Sequence, residues 1–355
     1  MSQNAENMVR LAERLDQVNF AVPEYSEVLA KIQQQHESVA VRLDEGQPWG
    51  AYNRQAVRGI IVLGQHHSGK SDLVAQCLEA VEPVEASDGT LVPPNTRFIE
   101  APYVFTQSSM ARAILAVMGY PLTRKMTPDL AWSKVSDRLD KAAVTQLAVD
   151  NWHWSFSPSR AGKSSRATEK RQIQAAFSSL LDHPGWPLPL ILIGLPEISD
   201  ELSEECMQHI KDRSDIVTIG RMQNHAREYA SLMDGICRLC EMAGLQLNLP
   251  ADDLPMQRLA HAADHSRGLA ITMAKLAVLH AVRNSSSRLE LQHFKTVYAS
   301  MANVFDANAN PFVSDTWTSV DTSKIGSNAS VLQSMIEMNG PKKSAPAGEP
   351  RVSKR

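Results

Sequence analysis

The sequence predicts an α/β fold, a parallel β-sheet flanked by helices, followed by a smaller helical domain. Short apolar segments alternate with helical ones through the middle of the chain, a pattern typical of a parallel sheet covered on both faces. Beyond about residue 224 the apolar residues recur only at helical spacing. A glycine-containing turn joins the first strand to the next helix, and this strand–turn–helix order fits the same class.

The chain begins with a polar segment, residues 1–55, that is predicted to be helical and to contain no strand. Leu11, Leu15 and Val18 recur there at helical spacing. Five strands are then predicted, at residues 58–63, 98–105, 146–150, 188–193 and 216–219. Three intervening helices are predicted at residues 70–81, 109–118 and 172–181. Together these elements predict an α/β domain over residues 56–223.

Two further regions follow the α/β domain. Residues 224–305 show only amphipathic helical spacing, as at Leu232, Ile236 and Leu239, and are predicted to form a helical lid domain. Residues 306–355 are polar and end in GPKKSAPAGEPRVSKR. Such a composition cannot bury enough apolar surface to fold, so this region is predicted to be a mostly disordered tail.

The composition excludes several classes of protein. The formal net charge of −3 means that any contact with nucleic acid must come from a local basic patch. The N-terminus lacks the apolar core of a signal peptide, and no run of apolar residues is long enough for a membrane span. Four cysteines are too few for a disulfide framework, so a cytoplasmic location is expected. Cys237 and Cys240 form a CxxC in an apolar helical run, which favours core packing over a zinc site.

The turn after the first strand carries the sequence GQHHSGKS, which matches GxxxxGK[ST], the phosphate loop of nucleotide-binding proteins. Its glycines allow the backbone N–H groups to face one anion, and the following helix adds its positive end. ATP with Mg²⁺ is the expected ligand, with Lys70 on the β- and γ-phosphates and the Ser71 hydroxyl on the metal. The predicted ATP-binding residues are Gly64, Gln65, His66, His67, Ser68, Gly69, Lys70 and Ser71.

Two points about this loop stay open at the level of sequence. The match could be accidental in an ordinary strand–turn–helix, although its position between a strand and a helix favours the functional interpretation. His66 and His67 are expected to be exposed loop residues rather than metal ligands, because the sequence shows no third ligand near them.

A second nucleotide-binding element is predicted at residues 146–150, an apolar strand that ends in Asp150. An acid at this position typically helps to hold Mg²⁺, as in a Walker B strand, and the next residue is usually a glutamate that activates water. Here the next residue is Asn151, whose amide can orient water but cannot accept its proton. We therefore expect slow hydrolysis, with ATP acting mainly as an assembly switch. The simpler alternative is that QLAVD is only a buried strand.

Between residue 58 and about residue 281 the sequence resembles the AAA+ ATPases, and within them the TniB/TnsC family of transposon-encoded regulators. The resemblance is carried by GQHHSGKS, by VDNWHW where relatives tend to read DE-x-H, and by LILIGLPE, which is similar to a sensor-1 strand with Gly-x-Pro-Glu. It implies an AAA+ module with a helical lid. It further implies that ATP-bound subunits assemble as a ring or filament on duplex DNA, without sequence preference. The implied roles are to mark the target site and to recruit the transposase together with a TniQ-type adaptor.

The resemblance also assigns residues. It implies that Asp150 is the magnesium-side acid and that Asn151 replaces the usual glutamate. His153 matches the histidine of DE-x-H, and an ordinary loop histidine is the alternative. Arg213 precedes the fifth strand, where an arginine finger would reach a neighbour's γ-phosphate; a surface salt bridge is the alternative. Gly194 and the leucine after it occupy the sensor-1 region, so no polar sensor is assigned there.

Basic residues follow the Walker B strand in SPSRAGKSSRATEKR, where they could neutralise DNA phosphates without reading bases. A solvated, flexible loop is the alternative. The predicted DNA contacts are Arg124, Lys125, Arg160, Lys163, Arg166, Lys170 and Arg171. Trp152 and Trp154 flank His153 and could stack on a partner or on adenine, or pack against the lid.

Two other functions remain possible from the sequence. The first is a general AAA+ motor or loader that hydrolyses ATP to remodel a protein or nucleic-acid complex, and vigorous turnover despite Asn151 would favour it. The second is a small-molecule kinase on the same fold, which would work as a monomer. A GTPase is disfavoured because no NKxD-type guanine-reading element is evident.

Overall fold

The computed structural model describes residues 3–18, 20, 22–40, 57–120, 126–156, 163–183, 187–223, 225–304, 306–323 and 325. The contacts within it divide the chain into two compact units. An α/β unit spans Val22–Arg221, and a helical unit combines Met1–Ala21 with Met222–Arg355.

The α/β unit is built on a sheet of five parallel strands in the order β4-β5-β6-β1-β7. A separate antiparallel pair, β2 and β3, lies outside this sheet. The strands are β1 (Gly59–Gly64), β2 (Val84–Glu85), β3 (Leu91–Val92), β4 (Thr96–Glu100), β5 (Gln146–Asp150), β6 (Leu190–Gly194) and β7 (Ser214–Ile219). Because all five strands run the same way, the residues that follow them meet at one edge, where ligands of such sheets bind.

Both faces of the sheet are covered, as continuous apolar strands require. Along β1, Ile61 and Leu63 face one core, whereas Ile60 and Val62 face the other. All six residues of β1 are buried, which places the strand in the interior of the unit.

Helices supply both covers. They are α2 (Tyr25–Ala40), α3 (Lys70–Glu79), α4 (Gln107–Val117), α5 (Pro128–Lys141), α6 (Lys163–Leu181), α7 (Ile198–Glu201) and α8 (Gln208–Asp212). The first helix of the chain, α1 (Gln3–Asp16), belongs to the helical unit. The local sequence explains where several of these helices begin. Thr106 accepts a hydrogen bond from the Ser109 backbone at the start of α4, and α5 begins with Thr127 as N-cap followed by Pro128.

The helical unit contains four more helices and a two-residue parallel strand pair. These elements are α9 (Ala226–Ala243), β8 (Gln246–Leu247), α10 (Leu254–Ala262), α11 (Arg267–Arg283), β9 (Arg288–Leu289) and α12 (Leu291–Ala302). α1 joins this unit through buried Leu15 and through an ion pair between Asp16 and Lys275. The glycine at position 235 of α9 is required, because a Cβ there would meet the ring of Phe20 at 2.1 Å.

The predicted α/β class is confirmed, and so are all five strands, but several boundaries differ. The second strand was expected at residues 98–105 and instead ends at Glu100. The capping box of Thr106 and Ser109 already turns the chain into α4, and the intervening Tyr103 and Val104 are exposed rather than paired in the sheet. The expected helix at 172–181 begins earlier, at Lys163, so the described part of the basic segment is helical rather than a loop.

Other elements escaped prediction. The helix α5 was not predicted. The strand pairs β2–β3 and β8–β9 were not predicted either, because strands of two residues show no periodicity. The 1–55 segment was expected to form one piece, but α1 and α2 belong to different units.

The first part of the predicted disordered tail is folded. Residues 306–323 and 325 pack on the helical unit, with Phe312 and Ile325 in its core. Residues 326–355 lie outside the described residues. Among the helices that the structure describes, none has both the length and the apolar character needed to cross a bilayer.

Candidate functional site

The phosphate loop occupies the carboxyl edge of the sheet, between the end of β1 at Gly64 and the start of α3 at Lys70. Gly69 adopts a left-handed conformation with φ of 84°, which glycine tolerates far better than other residues. Gly64 is required for space, because a Cβ at this position would meet the Oγ of Ser68 at 2.5 Å. The two glycines thus allow the backbone to curl tightly ahead of the helix.

Lys70 is turned into the loop rather than toward solvent. Its side-chain Nζ donates a hydrogen bond to the backbone carbonyl of Gln65 at 3.1 Å, and the residue is only 8% exposed. Burial lowers the pKa of Lys70, while the negative charges of Asp150 and Glu197 act in the opposite direction. A buried ammonium with few ligands of its own is suited to an anion that brings oxygen acceptors into the loop.

A second feature of the loop also fits a phosphate group. The buried Oγ of Ser68 has no hydrogen-bond partner in the structure. A buried hydroxyl without a partner is costly, and a phosphate oxygen would satisfy it. His66 and His67 are exposed, as predicted, with their ring centroids 6.3 Å apart.

The oxygen donors near the loop suit a magnesium ion that is bound partly by phosphate, rather than a metal ion coordinated by protein side chains alone. Asp150 is half-buried at the end of β5, and half-buried Ser71 lies in the first turn of α3. Among the described residues, no group of three or more His, Cys, Asp or Glu side chains could hold a metal ion. Magnesium commonly needs only one or two protein oxygens and completes its shell with phosphates and water. The donors present therefore fit a phosphate-bound Mg²⁺.

Asn151 follows Asp150 in a left-handed conformation, with φ of 54°, which asparagine tolerates better than most residues. Its backbone N–H donates to Oδ1 of Asp150 at 2.8 Å. Its side-chain Nδ2 donates to Oε1 of Glu100 at 3.0 Å. Glu100 ends β4 in register with Asp150, so two carboxylates meet at this edge. Glu100 could not be predicted from the sequence, because nothing along the chain links it to Asn151.

His153 lies beside the loop, since its ring centroid is 6.1 Å from that of His66. Burial lowers the pKa of His153, and the positive charges of His66 and Lys70 lower it further. Glu197, from the LILIGLPE segment, is the polar group that the sensor-1 region brings toward Lys70 and His153. Glu197 is the last residue of that motif, but it was not predicted to belong to the site.

The two tryptophans around His153 behave differently. Trp152 is fully buried in the core of the α/β unit, edge-on to Phe156 and Phe177. It is therefore a core residue of this unit, and the suggestion that it stacks on adenine is wrong. Trp154 is half-buried and packs edge-on against exposed Tyr103, 5.6 Å between ring centroids.

Arg213 lies at the opposite edge of the sheet from the phosphate loop. It follows α8 and precedes β7, and its backbone carbonyl accepts a hydrogen bond from the N–H of Gly59, where β1 begins. Its guanidinium forms an ion pair with Asp182. The six residues of β7 span about 20 Å, so Arg213 cannot reach the loop of its own chain.

The predicted DNA-contact residues fall into three groups. Arg124, Lys125 and Arg160 lie outside the described residues. Lys163 and Arg166 belong to α6, and Arg171 of the same helix is exposed.

Lys170 departs from the prediction. It is 9% exposed, and its Nζ is bound by Glu201 and by Glu204, the latter at 2.9 Å. Burial alone would lower the pKa of Lys170, but the hydrogen bonds to the two glutamates outweigh it and raise the pKa. The Lys170 ammonium is therefore engaged by carboxylates of its own chain.

The cysteines of the predicted CxxC lie in α9, where Cys240 is buried and Cys237 half-buried. Burial raises the pKa of Cys240 to about 12, so this thiol stays protonated. Core packing of Cys240 is confirmed.

Solved structures similar to this one share its fold. The Aeropyrum pernix ORC1 protein in complex with DNA matches with a TM-score of 0.55 and 13% identity, covering 90% of this chain and 85% of that chain. The Aeropyrum pernix ORC2 protein in its ADPNP–ADP complexes gives 0.53 and 13%, covering 81% and 71%. CDC6P from Pyrobaculum aerophilum gives 0.51 and 10%, covering 79% and 68%. These neighbours are AAA+ ATPases, and the α/β class with its helical region is the AAA+ fold.

Among curated proteins, none matches this sequence. The family model for the bacterial TniB protein matches residues 31–213, more than half of the chain, and includes the phosphate loop, the Walker B strand and Arg213. The chain therefore belongs to the bacterial TniB family and is a transposition-associated AAA+ protein.

Proposed function

We propose that this protein binds ATP with Mg²⁺ in the loop at residues 64–71, and that ATP binding drives its assembly on duplex DNA. The assembled protein would mark the target site and recruit the transposase, together with a TniQ-type adaptor. Membership of the TniB family supports the role in transposition. The geometry of the loop supports the nucleotide as the trigger.

The observation that carries the proposal is the position of Lys70. Its ammonium is buried within a glycine-curled loop at the start of a helix, and it lies close enough to Asp150 for their charges to interact. A triphosphate placed on the helix N-terminus would meet backbone N–H groups, the ammonium and the Ser68 hydroxyl together. ADP and ADPNP complexes of the structurally similar ORC2 protein support a nucleotide at this fold.

Ser71 and Asp150 would hold the magnesium ion. The ion would neutralise charge on the β- and γ-phosphates when it is bound. Asp150 accepts a hydrogen bond from the N–H of Asn151, and Ser71 lies in the first turn of α3.

Assembly follows from the position of Arg213. Because it is about 20 Å from the loop of its own chain, it can act only on the nucleotide of a neighbouring copy. An arginine from a neighbour that meets the γ-phosphate would couple the presence of ATP to contact between subunits. The ion pair with Asp182 would be exchanged for that contact.

Contacts with DNA are proposed for the basic side chains before and along α6, in a protein whose net charge is −3. The candidates are Arg160, Lys163, Arg166 and Arg171, with Arg124 and Lys125 as a second patch. Such contacts bind phosphates irrespective of sequence. The DNA complex of the structurally similar ORC1 protein supports the choice of ligand.

Electron microscopy of the protein with duplex DNA tests the proposal. We expect rings or filaments on DNA of any sequence when a non-hydrolysable ATP analogue is present, and none with ADP or without nucleotide. Particles that stay monomeric with both the analogue and DNA would contradict it. Equal assembly with and without nucleotide would remove ATP as the trigger.

A further inference from the structure

An asparagine at position 151 leaves the site without a glutamate directly after Asp150, yet a carboxylate is present one strand away. Glu100 ends β4 in register with Asp150 at the end of β5. Its Oε1 accepts a hydrogen bond from Nδ2 of Asn151 at 3.0 Å. The pairing of β4 with β5 therefore places a carboxylate, which can accept a proton, beside Asn151, which cannot.

We propose that Glu100 is the general base for ATP hydrolysis and that Asn151 is its positioning residue. The inference rests on the proposed function, since it assumes that the loop at residues 64–71 holds ATP. It adds to that function a catalytic residue from a strand outside the Walker motifs.

The contacts of Asn151 support this division of roles. Its backbone N–H is bound to Asp150 and its side-chain amide to Glu100, so one residue links the magnesium-side acid to the second carboxylate. The left-handed conformation at this position, with φ of 54°, suits asparagine and would strain a glutamate. The backbone thus favours an amide at 151, and the carboxylate comes from the neighbouring strand.

Glu100 is also accessible to water, because its residue is exposed at the edge of the sheet. Hydrogen bonding to an amide donor leaves the carboxylate able to accept a proton through its remaining lone pairs. Asn151 can then orient the same water through its side-chain oxygen.

In the proposed step, the oxygen of a water molecule forms a bond to the γ-phosphorus of ATP. The bond between that phosphorus and the β–γ bridging oxygen breaks, and its electron pair leaves with ADP. The proton of the attacking water passes to the Glu100 carboxylate. The products are ADP and inorganic phosphate, and the proton later returns to solvent.

Glu100→Gln is the direct test, because glutamine keeps the shape and can still accept the hydrogen bond from Asn151 but cannot take a proton. We expect phosphate release in the presence of duplex DNA to fall at least about tenfold, with unchanged affinity for a fluorescent ATP analogue. Glu100→Asp, which keeps the carboxylate, should retain more activity than Glu100→Gln.

Glu79→Gln is the matched control. It makes the same chemical change at the far end of α3, a ten-residue helix about 15 Å long, on an exposed residue. We expect this variant to release phosphate at the rate of the unaltered protein.

Several outcomes would overturn the inference. Unaltered turnover in Glu100→Gln would show that another group is the base. A Glu100→Asp protein that loses as much activity as Glu100→Gln would show that a carboxylate at this position does not sustain turnover, and would contradict the role of Glu100 as the base. An unaltered protein that binds ATP but releases no phosphate would also overturn it. An unaltered protein that does not bind ATP would instead overturn the proposed function.

Discussion

At the scale of single residues, the shape of the phosphate loop depends on two glycines, because a side chain at either position would disturb the backbone. Gly64 leaves room for Ser68, and Gly69 takes a left-handed turn that sets the start of α3. Motif matching alone could predict these glycines, because the GxxxxGK[ST] spacing encodes the backbone shape. It could not predict Glu100, which meets Asn151 only after β4 and β5 pair.

Gly64→Ala is therefore expected to weaken ATP binding while leaving the fold intact. The added Cβ would lie 2.5 Å from Oγ of Ser68 and 3.3 Å from Cβ of Ile219, so the loop must shift. A strain of about 1–3 kcal/mol corresponds to a loss of affinity of about 5- to 150-fold, measured by titration with a fluorescent ATP analogue. Gly220→Ala is the control, because a Cβ there meets nothing within 4 Å. Equal affinities for the two variants would contradict this description of the loop.

At the scale of elements, periodicity predicted the buried strands well and the peripheral elements poorly. β1, β5 and β6 are apolar on both faces, so they stand out from their surroundings. The β2–β3 and β8–β9 pairs are two residues long, and no pattern of that length is detectable. The polar composition of the region after residue 305 predicts disorder, yet Phe312 and Ile325 are part of the helical core. Arg258 also holds this region through the carbonyls of Pro311 and Ser314.

The burial of a histidine in α2 predicts that the stability of the α/β unit depends on pH. His36 of α2 is buried, and its Nε2 contacts the carbonyl of Val92 at 3.1 Å. Burial lowers the pKa of His36 below the ordinary value of 6.5. Above about pH 6.5 the imidazole is neutral whether the chain is folded or unfolded, and its contribution to stability is fully present. As the pH falls below this value the unfolded chain binds the proton first, so stability is lost.

Urea unfolding at pH 7.5 and 5.5 measures the effect. We expect the unaltered protein to be less stable at the lower pH, and we expect His36→Gln to lose less stability between the two conditions. His66→Gln is the control, because His66 is exposed in the same unit. A His36→Gln protein with the same pH dependence as the unaltered chain would show that burial of His36 is not responsible.

Substitutions of two adjacent residues of α6 are expected to change different quantities, DNA binding for Arg171 and stability for Lys170. Arg171 is exposed, so Arg171→Ala should reduce the slope of log affinity for DNA against log salt by about one. Lys170 is bound to Glu201 and Glu204, so Lys170→Ala should lower the free energy of unfolding by about 1–3 kcal/mol and leave the salt slope unchanged. Filter binding over a range of salt, with urea unfolding, measures both. A changed slope for Lys170→Ala alone would place the DNA on the other side of α6.

At the scale of the whole molecule, the proposed site is shared between subunits. Lys70 and Arg213 lie at opposite edges of one sheet, and each is proposed to serve a different nucleotide. The resemblance to AAA+ proteins indicated both roles from the sequence. Only the strand direction shows why they cannot meet within one chain.

A mixing experiment tests this sharing. At an ATP concentration that fills Arg213→Ala but leaves Lys70→Ala largely empty, Lys70→Ala should release little phosphate. Arg213→Ala should bind ATP but release phosphate about a hundredfold more slowly than the unaltered protein, or worse. When the two proteins are mixed on duplex DNA, Lys70→Ala supplies the arginine to the nucleotide held by Arg213→Ala. Phosphate release should therefore return to a measurable fraction of the unaltered rate. Failure of the mixture to exceed the sum of its components would contradict the proposed role of Arg213.

The central claim is that the loop at residues 64–71 holds the triphosphate through Lys70, and ATP affinity measures it most directly. Titration of the unaltered protein and Lys70→Ala with a fluorescent ATP analogue should show at least about a tenfold loss of affinity in the variant, because a charged hydrogen-bond partner is removed. Lys141→Ala, which removes an exposed lysine paired with Asp137, should bind like the unaltered protein. Equal affinity of Lys70→Ala and the unaltered protein for ATP would contradict the account.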